Sequence, residues 1–138
     1  MEERIERCLL ARAVIPAVDS LEEVARRINQ LMPDLPLEAE QSGRYDEVPA
    51  FVAEGADFRF VLLGVPEGEV GPYELKFRCE TALPMASLLA ERAGAFVNQF
   101  IHVQADSRES FLDFSEELAQ ALVRNGFEGC EPVRPGSA

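Results

Sequence analysis

The sequence predicts an α+β chain: a single two-layer sandwich, with a mostly antiparallel sheet of about five to six strands, two main helices on one face and a short extra helix. Three observations carry that prediction. Several separate stretches alternate apolar and polar residues with the period of a strand. Two stretches instead repeat apolar residues at helical spacing, each just behind an Asp-Ser pair. And 138 residues, 47% of them apolar, suffice for one core. Residues 1–131 read as the domain and 132–138, with Pro132, Pro135 and Gly136, as a flexible tail.

Residues 5–15 read as the first strand, its bulk supplied by Leu9, Leu10, Val14 and Ile15. Asp19-Ser20 then opens a helix, with Glu22 or Glu23 completing a capping box. Leu21, Val24, Ala25, Ile28, Leu31 and Met32 form its apolar stripe, and Pro33 stops it. Leu35, Leu37, Ala39 and Gln41 alternate with Pro36, Glu38 and Glu40 as a half-buried strand, followed by a Ser42-Gly43 turn. Tyr45–Ala53 reads as a strand that Pro49 confines to an edge or a bulge. Asp57–Val65 is apolar on both sides, which predicts a central strand. Tyr73, Leu75, Phe77 and Cys79 alternate with Glu74, Lys76, Arg78 and Glu80, the cleanest amphipathic strand in the chain.

Leu83–Ala95 reads as the short extra helix, and Phe96–Gln104 as a return to strand. Asp106-Ser107, with Glu109, opens the last helix, whose buried face runs through Phe111, Leu112, Phe114, Leu118, Ala119, Ala121 and Leu122 to a stop at Asn125-Gly126. Asp19-Ser20-Leu21-Glu22 and Asp106-Ser107-Arg108-Glu109 thus echo one another, a convergence that capping chemistry alone produces.

Net charge narrows the function. With 25 acidic and 13 basic residues the chain carries −12, which repels nucleic-acid phosphates and anionic membrane surfaces and favours a basic protein partner. The charged start, Met1 to Arg7, lacks the pattern of a secretory signal, and no apolar run is long enough to span a bilayer. The expected location is therefore the cytoplasm, where Cys8, Cys79 and Cys130, odd in number and without a C-x-x-C pair, stay reduced.

The sequence offers no catalytic set. His102 is the one histidine, with no spacing that would build a metal site or a triad around it. Gly64, Gly68 and Gly71 lack the lysine and serine of a phosphate loop, and Glu67 and Glu69 would repel phosphate. No metal and no cofactor is expected.

What stands out is where the acid lies. From Asp34 to Asp57 the chain holds Asp34, Glu38, Glu40, Asp46, Glu47, Glu54 and Asp57 against Arg44 alone, a net of −6 and half of the chain's total. A plain reading is a solvated face. The functional reading is a docking surface for Lys and Arg of a partner, made of Glu38, Glu40, Asp46, Glu47, Glu54 and Asp57.

In size, charge and the acidic hairpin from Leu37-x-Ala39-x-Gln41 to Tyr45, the chain resembles the small bacterial immunity proteins that neutralise toxins of contact-dependent, Rhs or type VI systems. That resemblance implies a protein-binding inhibitor whose acidic face occludes the basic active site of a cognate toxin or effector. A second class, the type III secretion effector chaperones, is similar in length and acidity. It would imply a homodimer, but its members usually begin with a helix, whereas this chain begins with a strand. A small enzyme or a ligand-sensing module completes the alternatives. The oligomeric state is left open by the sequence.

Overall fold

The computed structural model describes residues 7–33, 36–39, 49–54, 58–66, 71–81, 95–100 and 111–133. The elements are β1 (Arg7–Ile15), α1 (Leu21–Leu31), β2 (Glu38–Ala39), β3 (Ala50–Glu54), β4 (Phe58–Leu63), β5 (Tyr73–Thr81), α2 (Ala95–Phe100), β6 (Phe111–Asp113), α3 (Ser115–Arg124) and β7 (Glu131–Pro132). Among the described residues seven strands form one open sheet in the order β2-β3-β4-β5-β1-β6, with β7 also on β1. Of the pairings among them, only β1 with β6 is parallel. The class is α+β, as the sequence predicts.

Alternation decides which face is buried. Leu9, Ala11, Ala13 and Ile15 of β1, Leu75, Phe77 and Cys79 of β5, and Phe60 and Leu62 of β4 are buried. Register places Leu9 opposite Cys79, Ala11 opposite Phe77 and Phe60 opposite Phe77, so these side chains share one face. The same core includes Leu21, Val24, Ala25 and Ile28 of α1 and Leu118, Ala119, Ala121 and Leu122 of α3. Phe60, Phe77, Phe96 and Phe100 meet at its centre, with ring centroids 4.9–6.5 Å apart.

Helix α1 starts as its capping chemistry requires: Glu23 N–H donates to Ser20 Oγ at 3.2 Å. After it, Asn29 clasps the chain entering β2. Its Nδ2 donates to Leu37 O at 3.2 Å, and its Oδ1 accepts from Leu37 N–H at 2.7 Å. Arg27 ties α1 to the far end of α3. Its guanidinium lies 4.3 Å from the Phe127 ring centroid and donates to Gly126 O at 2.9 Å. Gly126 closes α3 with φ +96°, a conformation that favours glycine.

Four expectations change. Of the strand expected at Phe96–Gln104, the described part, Phe96–Phe100, belongs to a helix over Ala95–Phe100, because Phe96 and Phe100, four apart, both reach the core from one helical face, and 101–104 lie outside the described residues. The last helix begins at Ser115 rather than at Asp106-Ser107, because Phe111–Asp113 pairs with the free edge of β1. Pro49 does not make its strand an edge: β3 starts immediately after it and lies between β2 and β4. The Pro49 carbonyl instead accepts from Gly64 N–H at 2.8 Å, in a contact so close that a Cβ on Gly64 would lie 2.8 Å from Pro49 Cγ. Finally, pairing continues past the expected end of the domain. Glu131–Pro132 forms β7, and Val133 N–H donates to Arg12 O at 2.9 Å. The short helix expected at Leu83–Ala95 lies outside the described residues apart from Ala95, and so do His102, Asp106 and Ser107 and the tail from residue 134.

The outer edge of β1 is sealed by two strands with a helix start between them. β6 pairs along Cys8–Leu10 and β7 along Ala13–Val14. Across the gap, Phe114 N–H donates to Leu10 O at 2.7 Å, and Arg12 N–H donates to the buried Ser115 Oγ at 2.9 Å. Ser115 Oγ–H in turn donates to Asp113 Oδ1 at 2.5 Å, and the same oxygen accepts from Ser115 N–H at 2.8 Å. Asp113 thereby meets the first orphan donor of α3, the role the sequence assigns to Asp106-Ser107.

Candidate interaction face

Side chains that do not enter the core line the opposite face of the sheet, the open face with respect to the described helices, which pack into the core on the other side, and register arranges them in rows. One row runs Glu38, Val52, Val61, Lys76, Arg12 across β2, β3, β4, β5 and β1. The next runs Glu54, Arg59, Arg78, Leu10, Asp113, ending on β6. A third runs Ala50, Leu63, Glu74, Val14, Glu131, ending on β7.

Of the six acidic candidates, two fall on described residues. Glu38 and Glu54 are both exposed, on the neighbouring strands β2 and β3. Glu38 pairs with Val52, two residues before Glu54, so both carboxylates belong to the open face. Glu40, Asp46, Glu47 and Asp57 lie outside the described residues.

The register also brings together four cations: Arg12, Arg59, Lys76 and Arg78, on β1, β4 and β5. Alternation alone marks Lys76 and Arg78 as outward, but the cluster exists only through the strand order, which aligns residues far apart in the chain. Each cation has a carboxylate neighbour. Arg12 Nη2 reaches Glu74 at 3.1 Å, Lys76 Nζ reaches Glu74 at 3.6 Å, and Arg59 Nε reaches Glu54 at 3.4 Å. Arg78 Nε donates to Glu80 at 3.0 Å, and this hydrogen bond, with lesser help from the Glu80 charge and Cys8, holds the guanidinium above its ordinary pKa. Arg59 and Arg78 are directly opposite, a like-charge pair that costs stability unless neutralised. Glu54 and Glu80 supply that neutralisation from either side.

The open face is therefore ordered in charge: acid on β2 and β3, four bases over β4, β5 and β1 interspersed with Glu74 and Glu80 of β5, and acid again at Asp113 and Glu131. Between the charges sit the half-buried Val52 and Leu63 and the buried Val61. Such a face can select a partner by sign and register.

Elsewhere, Glu116, Ala119, Gln120, Val123, Arg124, Cys130 and Pro132 line an open groove of about 480 Å³. Cys8, Cys79 and Cys130 form no disulfide. Burial pushes the Cys130 thiol up to about 11, so it stays protonated at neutral pH and is a poor nucleophile. Among the described residues no three His, Cys, Asp or Glu side chains converge as an ion site, and no helix is long and apolar enough to cross a membrane. Compared with protein-family models, curated proteins and solved structures, the chain matches none.

Proposed function

We propose that this chain is a protein-binding inhibitor of the immunity type, acting in the cytoplasm on a cognate toxin or effector through an acidic surface. The observation that carries this reading is the pair Glu38 and Glu54. Both are exposed, on the same face of the adjacent strands β2 and β3, and the chain that joins these strands contributes Glu40, Asp46 and Glu47. Asp57 follows Glu54 by three residues. A basic active-site cleft would be steered to this surface by charge, while apolar contacts within the interface would set the release rate. The finer architecture belongs to the same proposal. A two-layer sandwich with its helices on one face leaves the other face free to dock, and the support for it is a core drawn from one side of the strands.

The test is association with the protein encoded beside this one, measured by calorimetry from about 50 to 500 mM salt, a range over which screening weakens exposed charge pairs. The reading expects a complex whose affinity falls at least tenfold across the range, and again when Glu38 and Glu54 are both changed to Gln. It also expects co-expression to restore growth to cells making that neighbour. Absence of a complex, or one indifferent to salt and to these substitutions, would sink it.

A further inference from the structure

The charge order of the open face is complementary to itself. Glu38 and Arg12 end the same row, four strands apart, and Glu54 and Arg78 stand two strands apart in the next. A two-fold axis laid along β4 carries β2 over the partner's β1 and β3 over the partner's β5. Each Glu38 then faces an Arg12, and each Glu54 an Arg78, four opposite-sign contacts from one operation. Val61 and Leu63 of the two copies meet at the axis, flanked by Val52. Arg59 meets its own symmetry mate, a like-charge contact that Glu54 offsets only by bridging Arg59 of its own copy and Arg78 of the other. Two-fold faces are self-complementary in just this sense, and sheets stack with nearly aligned strands.

We infer that the open face of the sheet is a docking surface for a second copy of this chain, with Glu38 and Glu54 of one copy set against Arg12 and Arg78 of the other. Exposure permits the exchange. The side chains of Arg12, Arg78 and Glu54 are 46%, 61% and 59% exposed in their present intrachain pairs. Two residues of β2, five of β3 and about six of each of β4, β5 and β1, at about 4.8 Å by 3.4 Å apiece, cover roughly 400 Å² per copy. The total of roughly 800 Å² lies below the usual range of a specific, stable interface. The dimer is accordingly weak and reversible, with charge fixing its register and the half-buried Val52 and Leu63 supplying the apolar burial, since Val61 is already buried within one chain. A basic partner and a second copy would compete for Glu38 and Glu54, so dissociation frees the acidic surface. The dimer does not depend on the inhibitor reading, and its test uses no partner protein.

Sedimentation velocity of the full chain from about 5 to 500 μM in low salt should show the mass rising from one chain to two, with the transition moved to at least tenfold higher concentration in about 0.5 M salt. Glu38→Arg with Glu54→Arg should leave a monomer, and so should Arg12→Glu with Arg78→Glu. An equimolar mixture of the two charge-reversed proteins should dimerise again. Circular dichroism establishes that each variant is folded. If either is not, the milder Glu38→Gln with Glu54→Gln should weaken the dimer about tenfold, the equivalent of about 1.4 kcal/mol. A chain that stays monomeric throughout, a dimer unmoved by these changes, or a mixture that fails to reassociate overturns the inference.

Discussion

On β5, Leu75, Phe77 and Cys79 are buried against the helices, while Glu74, Lys76, Arg78 and Glu80 between them stand on the open face. Seven consecutive residues thus belong to two chemical regimes. Inward, each side chain gains from lost water contact and dense packing, and its neighbours are interchangeable as long as volume is kept. Outward, each side chain gains from one or two specific partners of opposite sign, and its worth depends on which residue the register sets beside it. The inner face answers to composition, the outer face to alignment. Stability should therefore be concentrated inward and specificity outward.

The largest effect that would test this division is a cavity at the aromatic centre. Phe77 packs against Phe60 at 4.9 Å, tilted, and edge-on against Phe100 at 5.2 Å between ring centroids, with essentially no exposure. Phe77→Ala should cost about 3–5 kcal/mol, read from the urea midpoint. Its neighbour Arg78, changed to Ala, should leave the midpoint nearly unmoved. If the two substitutions cost the same, the sheet does not have one buried and one open side.

The same division explains what was legible in the chain. The inner halves of β1, β4 and β5 and the buried stripe of α1 are written locally, as period two and period 3.6, and can be read without knowing any partner strand. The Ser20 cap is local too. The misread elements are those whose state is decided elsewhere. Phe96 and Phe100, four apart, suit either period, and only the position of the aromatic cluster makes the segment helical. Phe111–Asp113 carries helix-compatible residues, but β1 has a free edge that needs partners, and pairing overrides local preference. A signal for the true helix start was present: Asp113 is followed three residues later by Glu116, the same spacing as the Asp106 to Glu109 pattern that misled. For the interaction face, Glu38 and Glu54 were visible as acid, but the cations beside them were not visible as a group. Arg12 and Lys76 are 64 residues apart in the chain and adjacent only through the β1–β5 register.

A smaller effect is expected where the two regimes meet, at the edge of β1. Ser115 is buried, yet its hydroxyl does the work of a strand, accepting from Arg12 N–H and donating to Asp113. Ser115→Ala keeps nearly all the volume and strands the Arg12 N–H between β6 and β7. The cost of an unsatisfied buried donor is about 1–3 kcal/mol. The distinguishing readout is amide exchange: Arg12 N–H should lose protection by far more than Ala11 or Ala13, which lie on either side. Uniform loss along β1 would mean that the hydroxyl serves packing and not the ladder.

The smallest effect lies wholly on the open face. Arg12 and Glu74 are 3.1 Å apart, with side chains 46% and 23% exposed, and Lys76 shares the same carboxylate. A double-mutant cycle of Arg12→Ala and Glu74→Ala should return a coupling of about 0–1 kcal/mol in low salt. Much of it should vanish by about 0.5 M salt, as screening overtakes a pair at this exposure. The cycle should be run dilute enough to keep the chain monomeric, because Arg12 is also a proposed contact to a second copy. Repeated at concentrations that favour the dimer, the apparent contribution of Arg12 should grow while that of Glu74 does not. A coupling that is large, salt-independent and indifferent to concentration would make the open face a structural element in its own right, and the contrast with the core would have to be redrawn.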